Sequence, residues 1–136
     1  MAVVSVAAVF VMTRPTSKRP NVVNGIGVSA TTERTQIFSP KGWIPAIRTH
    51  VTIHNLTSDD ALWMGYESTH YLNNEFWGGG GGTYVAGVVM PAGTTKNLIY
   101  STECTGIQGL VTIEGFVTVV VSGENIDVPY SNEIIL

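Results

Sequence analysis

His50 and His54 are the first pair in the chain whose side chains could hold a metal. On a strand their Cα atoms would stand about 13 Å apart, at about 3.3 Å per residue, too far to chelate one ion without ligands from elsewhere. In Ile47-Arg48-Thr49-His50-Val51-Thr52-Ile53-His54 the second half alternates polar and apolar, so His50, Thr52 and His54 form a polar outer stripe while Val51 and Ile53 point inward. Asp59 and Asp60 are carboxylates of the kind calcium takes, but directly after Asn55 they read as solvated turn residues. Asn55-Leu56-Thr57 matches a glycosylation acceptor pattern and reads as a turn after a strand. Glu67, Ser68 and His70 lie close in sequence without the context of a nucleophile motif. Cys104 is the single cysteine, with no internal disulfide partner and no spacing that marks a histidine beside it, so it reads as a small buried thiol. These residues converge on no acid-base or nucleophilic site. The expectation is a protein that is not an enzyme and uses no metal or cofactor.

The aromatic residues carry more information. Phe76 and Trp77 precede five consecutive glycines, Gly78 to Gly82. Glycine gains no side-chain packing and loses much backbone freedom on ordering, so residues 67–83 are expected to form a long excursion with a flexible glycine loop. The alternative is a close-contact surface on which Phe76 and Trp77 anchor a partner. A phosphate loop is disfavoured, because no Lys-Ser or Lys-Thr pair follows the glycines and a strand comes next. Trp43, Trp63 and Trp77, with Tyr66, Tyr71 and Tyr84, could also build a sugar-stacking platform, which makes a carbohydrate-binding module the competing functional class. Within that set Trp63, in Ala-Leu-Trp-Met, reads as core and Trp77 as exposed.

The elements that must position these residues are strands. The 136 residues suit one domain, and 44% hydrophobic against 12% charged residues excludes a wholly disordered chain. Val, Ile and Thr together number 45, against six Leu and eight Ala, which excludes a helix bundle. Short β pieces are expected at Val22–Ala30 and Arg34–Phe38, broken by Gly25, Gly27, Pro40 and Pro45. Further strands are expected at 47–54, 61–66, 84–90, 96–101, 109–114 and 116–122, with a hairpin or bulge at Gly115. Some eight short strands with Gly or Pro turns indicate an all-β fold, a single antiparallel β-sandwich, jelly-roll-like, spanning residues 47–136.

Residues 1–46 are expected to be an extended N-terminal arm and an irregular β segment. Residues 2–12 are apolar on both faces of a would-be strand and carry no charge. Basic residues follow this stretch instead of preceding it, the wrong polarity for a secretory signal, and it is shorter than the roughly 20 residues a membrane helix needs. Residues 1–50 carry a net +5 and residues 51–136 a net −8. The basic residues are sparse and separated by Pro and apolar residues, which favours an arm lying on acidic protein surface over a nucleic-acid tail. The expected partner-binding residues are thus Val4, Val6, Val9, Phe10 and Val11, buried against another subunit, with Arg14, Lys18 and Arg19 on acidic surface, and Phe76 and Trp77. Neither nucleic acid nor membrane is an expected partner.

The run Val51-Thr52-Ile53-His54-Asn55-Leu56-Thr57, followed by Leu62-Trp63-Met64-Gly65-Tyr66-Glu67-Ser68, resembles small virion proteins of tailed bacteriophages. Those proteins share the order of a strand ending in an Asn turn, a strand ending in Gly-Tyr, a Pro-x-Gly turn and final valine-rich strands; Pro91-Ala92-Gly93 and Val117–Val121 take the later places here. The resemblance covers residues 47–122. It implies a capsid decoration or cement protein, a homotrimer seated on the lattice of the major capsid protein in the virion and made in the host cytoplasm. A tail or fibre component is the nearest alternative.

Overall fold

The computed structural model of the chain describes residues 20–136. Eight strands follow one another: β1 Asn21–Val23, β2 Ile26–Ser39, β3 Gly42–Asn55, β4 Ala61–Leu72, β5 Glu75–Met90, β6 Thr95–Glu103, β7 Leu110–Val121 and β8 Glu124–Ile135. They form two antiparallel four-stranded sheets, in the orders β1-β2-β3-β6 and β5-β4-β7-β8. The all-β antiparallel sandwich expected from the composition is the fold, with no helix among the described residues. Four hairpins, β1–β2, β2–β3, β4–β5 and β7–β8, are joined by crossings between the sheets, a wiring nearer to the immunoglobulin pattern than to a jelly roll.

Period-two side-chain alternation builds the core. In β3 the buried set is Ile47, Thr49, Val51, Ile53 and Asn55, with Ala46 beside it; in β7 it is Val111, Ile113, Val117 and Val119; in β8 it is Ile126, Val128, Tyr130, Asn132 and Ile134. Stiff β-branched residues from both sheets therefore interdigitate between the layers. One side of the sandwich is closed where β2 meets β8. There the Asn132 amide donates to Ala30 O at 2.8 Å, Asn21 to Pro129 O at 2.7 Å, and Arg34 to Ile135 O at 2.8 Å. The opposite side is bounded by β5 and β6, each of which has, among the described residues, a strand partner on one edge only.

Several expectations are corrected. Residues 21–46 are part of the sandwich, as β1, β2 and the start of β3, so the domain boundary at residue 46 does not exist. Their prolines and glycines do not interrupt the sheet, because they sit where it tolerates them. Asn24-Gly25 makes a two-residue hairpin turn with both residues at positive φ, and Pro40 lies in the turn between Ser39 and Gly42. Pro45 pairs with Gln36 just before β6 joins β3 at Ala46, so its missing N–H interrupts no third strand. Gly115 is no break either. It lies within β7, opposite Ser68 and Tyr130, and a Cβ there would run into Glu67 O and the Tyr130 ring. The hairpin of this region is at Ser122-Gly123, both at positive φ, and leads into β8. Val4, Val6, Val9, Phe10, Val11, Arg14, Lys18 and Arg19 lie outside the described residues.

Asn55 ties the β3 end to two loops. It is fully buried, its amide donates to Met90 O and Asp59 O at 2.8 Å each, and its Oδ1 accepts from the Thr57 N–H and hydroxyl. The turn expected after this strand is present, and the amide nitrogen of the acceptor pattern is committed inside it. Asn55→Ala would leave the buried Met90 carbonyl without its partner, and urea unfolding should show a loss of about 2 kcal/mol, the cost of one unsatisfied buried group.

Candidate functional site: a glycine-walled groove between two sheet edges

The chemistry-bearing residues gather at the β5–β6 side. β4 reaches Leu72, turns through Asn73 and Asn74, both at positive φ, and returns as β5 from Glu75. The stretch 67–83 is therefore a hairpin, and Gly78–Gly82 is a strand paired with His70 through Tyr66. None of the five glycines takes a positive φ. Their identity follows from proximity at two positions: a Cβ on Gly79 would stand 2.5 Å from Ser68 O, and one on Gly81 2.7 Å from Tyr66 O. Glycine here lets the edge strand lie close against β4, which outweighs its poor strand propensity. At Gly78 and Gly80 a Cβ would meet no atom within 4 Å.

Between these glycines and Tyr100–Glu103 of β6 runs a groove of about 480 Å³, floored by Tyr66, Ser68, His70 and Trp77. Its aromatic rings contact one another. Tyr66 stacks on Tyr100 at 5.5 Å, His70 lies parallel to Tyr100 at 6.2 Å, and Trp77 tilts over His70 at 6.0 Å. The Tyr100 hydroxyl meets that of Tyr130 at 3.1 Å, and Tyr130 donates onward to Glu67 O. Burial raises the pKa of both tyrosines, which keeps the pair protonated, and lowers that of His70, which keeps the imidazole neutral. Ser68 Oγ lies 3.4 Å from His70 Nε2. No carboxylate hydrogen-bonds this histidine, so the pair lacks the third group that would orient a base toward a hydroxyl nucleophile.

Phe76 and Trp77 fall on opposite faces of β5. Phe76 is 74% exposed, as an anchor would be, whereas Trp77, expected outside, is half-buried against the core. Trp63 is in the core as expected, packed edge-on to Tyr84, with its indole N–H donating to Gly65 O. A sugar platform needs free ring faces, and in the groove Tyr66, His70, Trp77 and Tyr100 spend theirs on each other. His50 bonds Glu33 at 3.0 Å and His54 bonds Thr95 at 3.0 Å, so the outer stripe consists of separate cross-strand pairs. No cluster of metal-ligating residues occurs among the described residues. Asp59 and Asp60 are exposed turn residues, and Cys104 is buried with its thiol pKa raised by burial.

Residue-type reasoning missed one further surface. Residues 36–39 of β2 and 42–45 of β3 pair with each other and, among the described residues, with no third strand, beyond the point where β6 ends, and form a two-stranded ribbon. At its tip Phe38 and Trp43 are 73% and 66% exposed and touch edge to face at 5.4 Å. Two aromatic residues flanking Ser-Pro-Lys-Gly, each beside an isoleucine, were the available signal.

No family model matches the chain, and no curated protein matches it. Solved structures do. A structural-genomics target determined by X-ray crystallography is 22% identical with a TM-score of 0.60, over 79% of this chain and 86% of that one. The putative ApaA protein from Bordetella pertussis is 15% identical at a TM-score of 0.58, over 84% and 94%. The C-terminal domain of Wzt is 11% identical at 0.52, over 92% and 79%. At these identities the likeness shows the β-sandwich fold alone.

Two outcomes follow from the groove. Gly79→Ala and Gly81→Ala should each cost about 1–3 kcal/mol in denaturant unfolding, as overpacking does, whereas Gly78→Ala and Gly80→Ala should be neutral or stabilise by up to about 1 kcal/mol. His70 binds its proton more weakly folded than unfolded, so the unfolded state takes up more protons as pH falls below 6.5, its ordinary value. Its contribution to stability is complete above that pH and declines below it. His70→Gln should flatten this part of the stability profile relative to the intact chain.

Proposed function

We propose that the chain is a non-enzymatic structural protein of a phage virion, a decoration protein that docks on the lattice of the major capsid protein through the β2–β3 ribbon. The observation that supports docking is the ribbon tip. Phe38 and Trp43 project from the sandwich on a rigid two-stranded support, with their faces largely in water. Large aromatic anchors of this kind supply much of the energy of protein interfaces, since each buries a wide area with few rotamers to freeze. Capsid decoration asks for a stable sandwich, a docking element and no reaction. The virion setting comes from the resemblance over residues 47–122, and the ribbon adds the means of attachment.

Phe38→Ser with Trp43→Ser should leave thermal unfolding nearly unchanged, because neither side chain is in the core. Each anchor contributes roughly 1.5–3 kcal/mol when buried, so particle binding should weaken by at least about a hundredfold. Cryo-electron microscopy of labelled particles supplies the setting. Density on the head is expected; density on the tail would replace decoration by a tail role, and a protein found in no particle would overturn the virion reading.

A further inference from the structure

The ends of the two sheets are protected unequally. β1 is three residues long, β6 carries Lys96 and Glu103, and β8 carries Pro129 with three carboxylates and lies against β2. Such devices are how sheet edges avoid pairing with other chains. β5 is less protected: Glu75 at its start is its one charge, it holds no proline, and among the described residues no strand lies beside its outer edge. Across the groove the outer edge of β6 likewise has no strand partner among the described residues. Gly78 and Gly80, whose side-chain positions open on empty space, leave the backbone of β5 accessible to another backbone.

We propose that the groove between β5 and β6 receives residues 2–12 of a second copy of this chain as an added strand. The sequence supplies a matching segment: eleven residues, no charge and apolar side chains at both parities, lying before the first described residue. A strand laid beside β5 would turn one row of side chains toward His70, Trp77 and Tyr100 in the groove. Arg14, Lys18 and Arg19 follow the segment, and Glu75 and Glu103 stand on the strands that border the groove, so the charges are complementary. A second copy is the donor because β1 lies beside β2 and β8, at the far side of the sandwich from the groove, so that within one chain residues 13–20 would have to run around a sheet to reach it.

This assembly contact is separate from ribbon docking, so either can fail alone. The test is the solution mass of the full chain by light scattering, beside Gly78→Lys with Gly80→Lys, and beside the intact chain with excess peptide of residues 1–19. The lysines meet open space and should leave circular dichroism and melting unchanged. The expected result is an oligomer that the lysine pair and the peptide each convert to monomer. A monomeric intact chain would overturn the proposal, as would an oligomer indifferent to the peptide whatever the lysine variant does.

Discussion

The close approach of neighbouring backbones to β4 is the constraint on which the rest of the structure depends. β4 is the one strand paired with both β5 and β7, and it carries Trp63, Ser68 and His70 into the interior. Its middle is flanked by glycine on both sides: Gly79 and Gly81 of β5 against Ser68 O and Tyr66 O, and Gly115 of β7 against Glu67 O. Between Trp63 and Gly65 the register of β4 shifts against both neighbours: Met64 is an extra residue against β7, and residues 84–87 of β5 stand opposite it on the other side. Because side chains alternate with period two, a one-residue slip would carry Ser68 and His70 out of the interior and dismantle the aromatic column.

That geometry separates the two faces of the molecule's surface chemistry. On the groove side, aromatic rings are stacked, tyrosine hydroxyls bonded and the histidine neutral, so the residues with chemical potential are occupied in holding β6 against β4. At the ribbon tip the aromatics hold nothing except each other. Burial by a partner therefore brings more new apolar contact at Phe38 and Trp43 than at Trp77, which is already half-buried.

Much of the fold was legible in the residues. The excess of Val, Ile and Thr indicates strands, and the inward positions of Val51 and Ile53 and the outer stripe of His50, Thr52 and His54 follow from alternation alone. No strand was expected at β8, although Ile126, Val128, Tyr130, Asn132 and Ile134 alternate without fault, because its acidic outer face obscures the pattern. Punctuating residues misled. Gly79, Gly81 and Gly115 mark places where backbones nearly touch, which is a property of how strands pair, and no local propensity reports it. The groove was not legible for the same reason: it joins Trp77 to Tyr100 across the open side of the sandwich, and neither residue's neighbourhood names the other.

Amide hydrogen exchange along β4 and β5 tests the central claim most directly. If Gly78–Gly82 is a strand held against β4, the amides bonded between the two strands exchange slowly and lose protection together with those of β7 when the domain unfolds. Fast exchange throughout Gly78–Gly82, with β4 and β7 still protected, would show a glycine loop and remove the groove's wall.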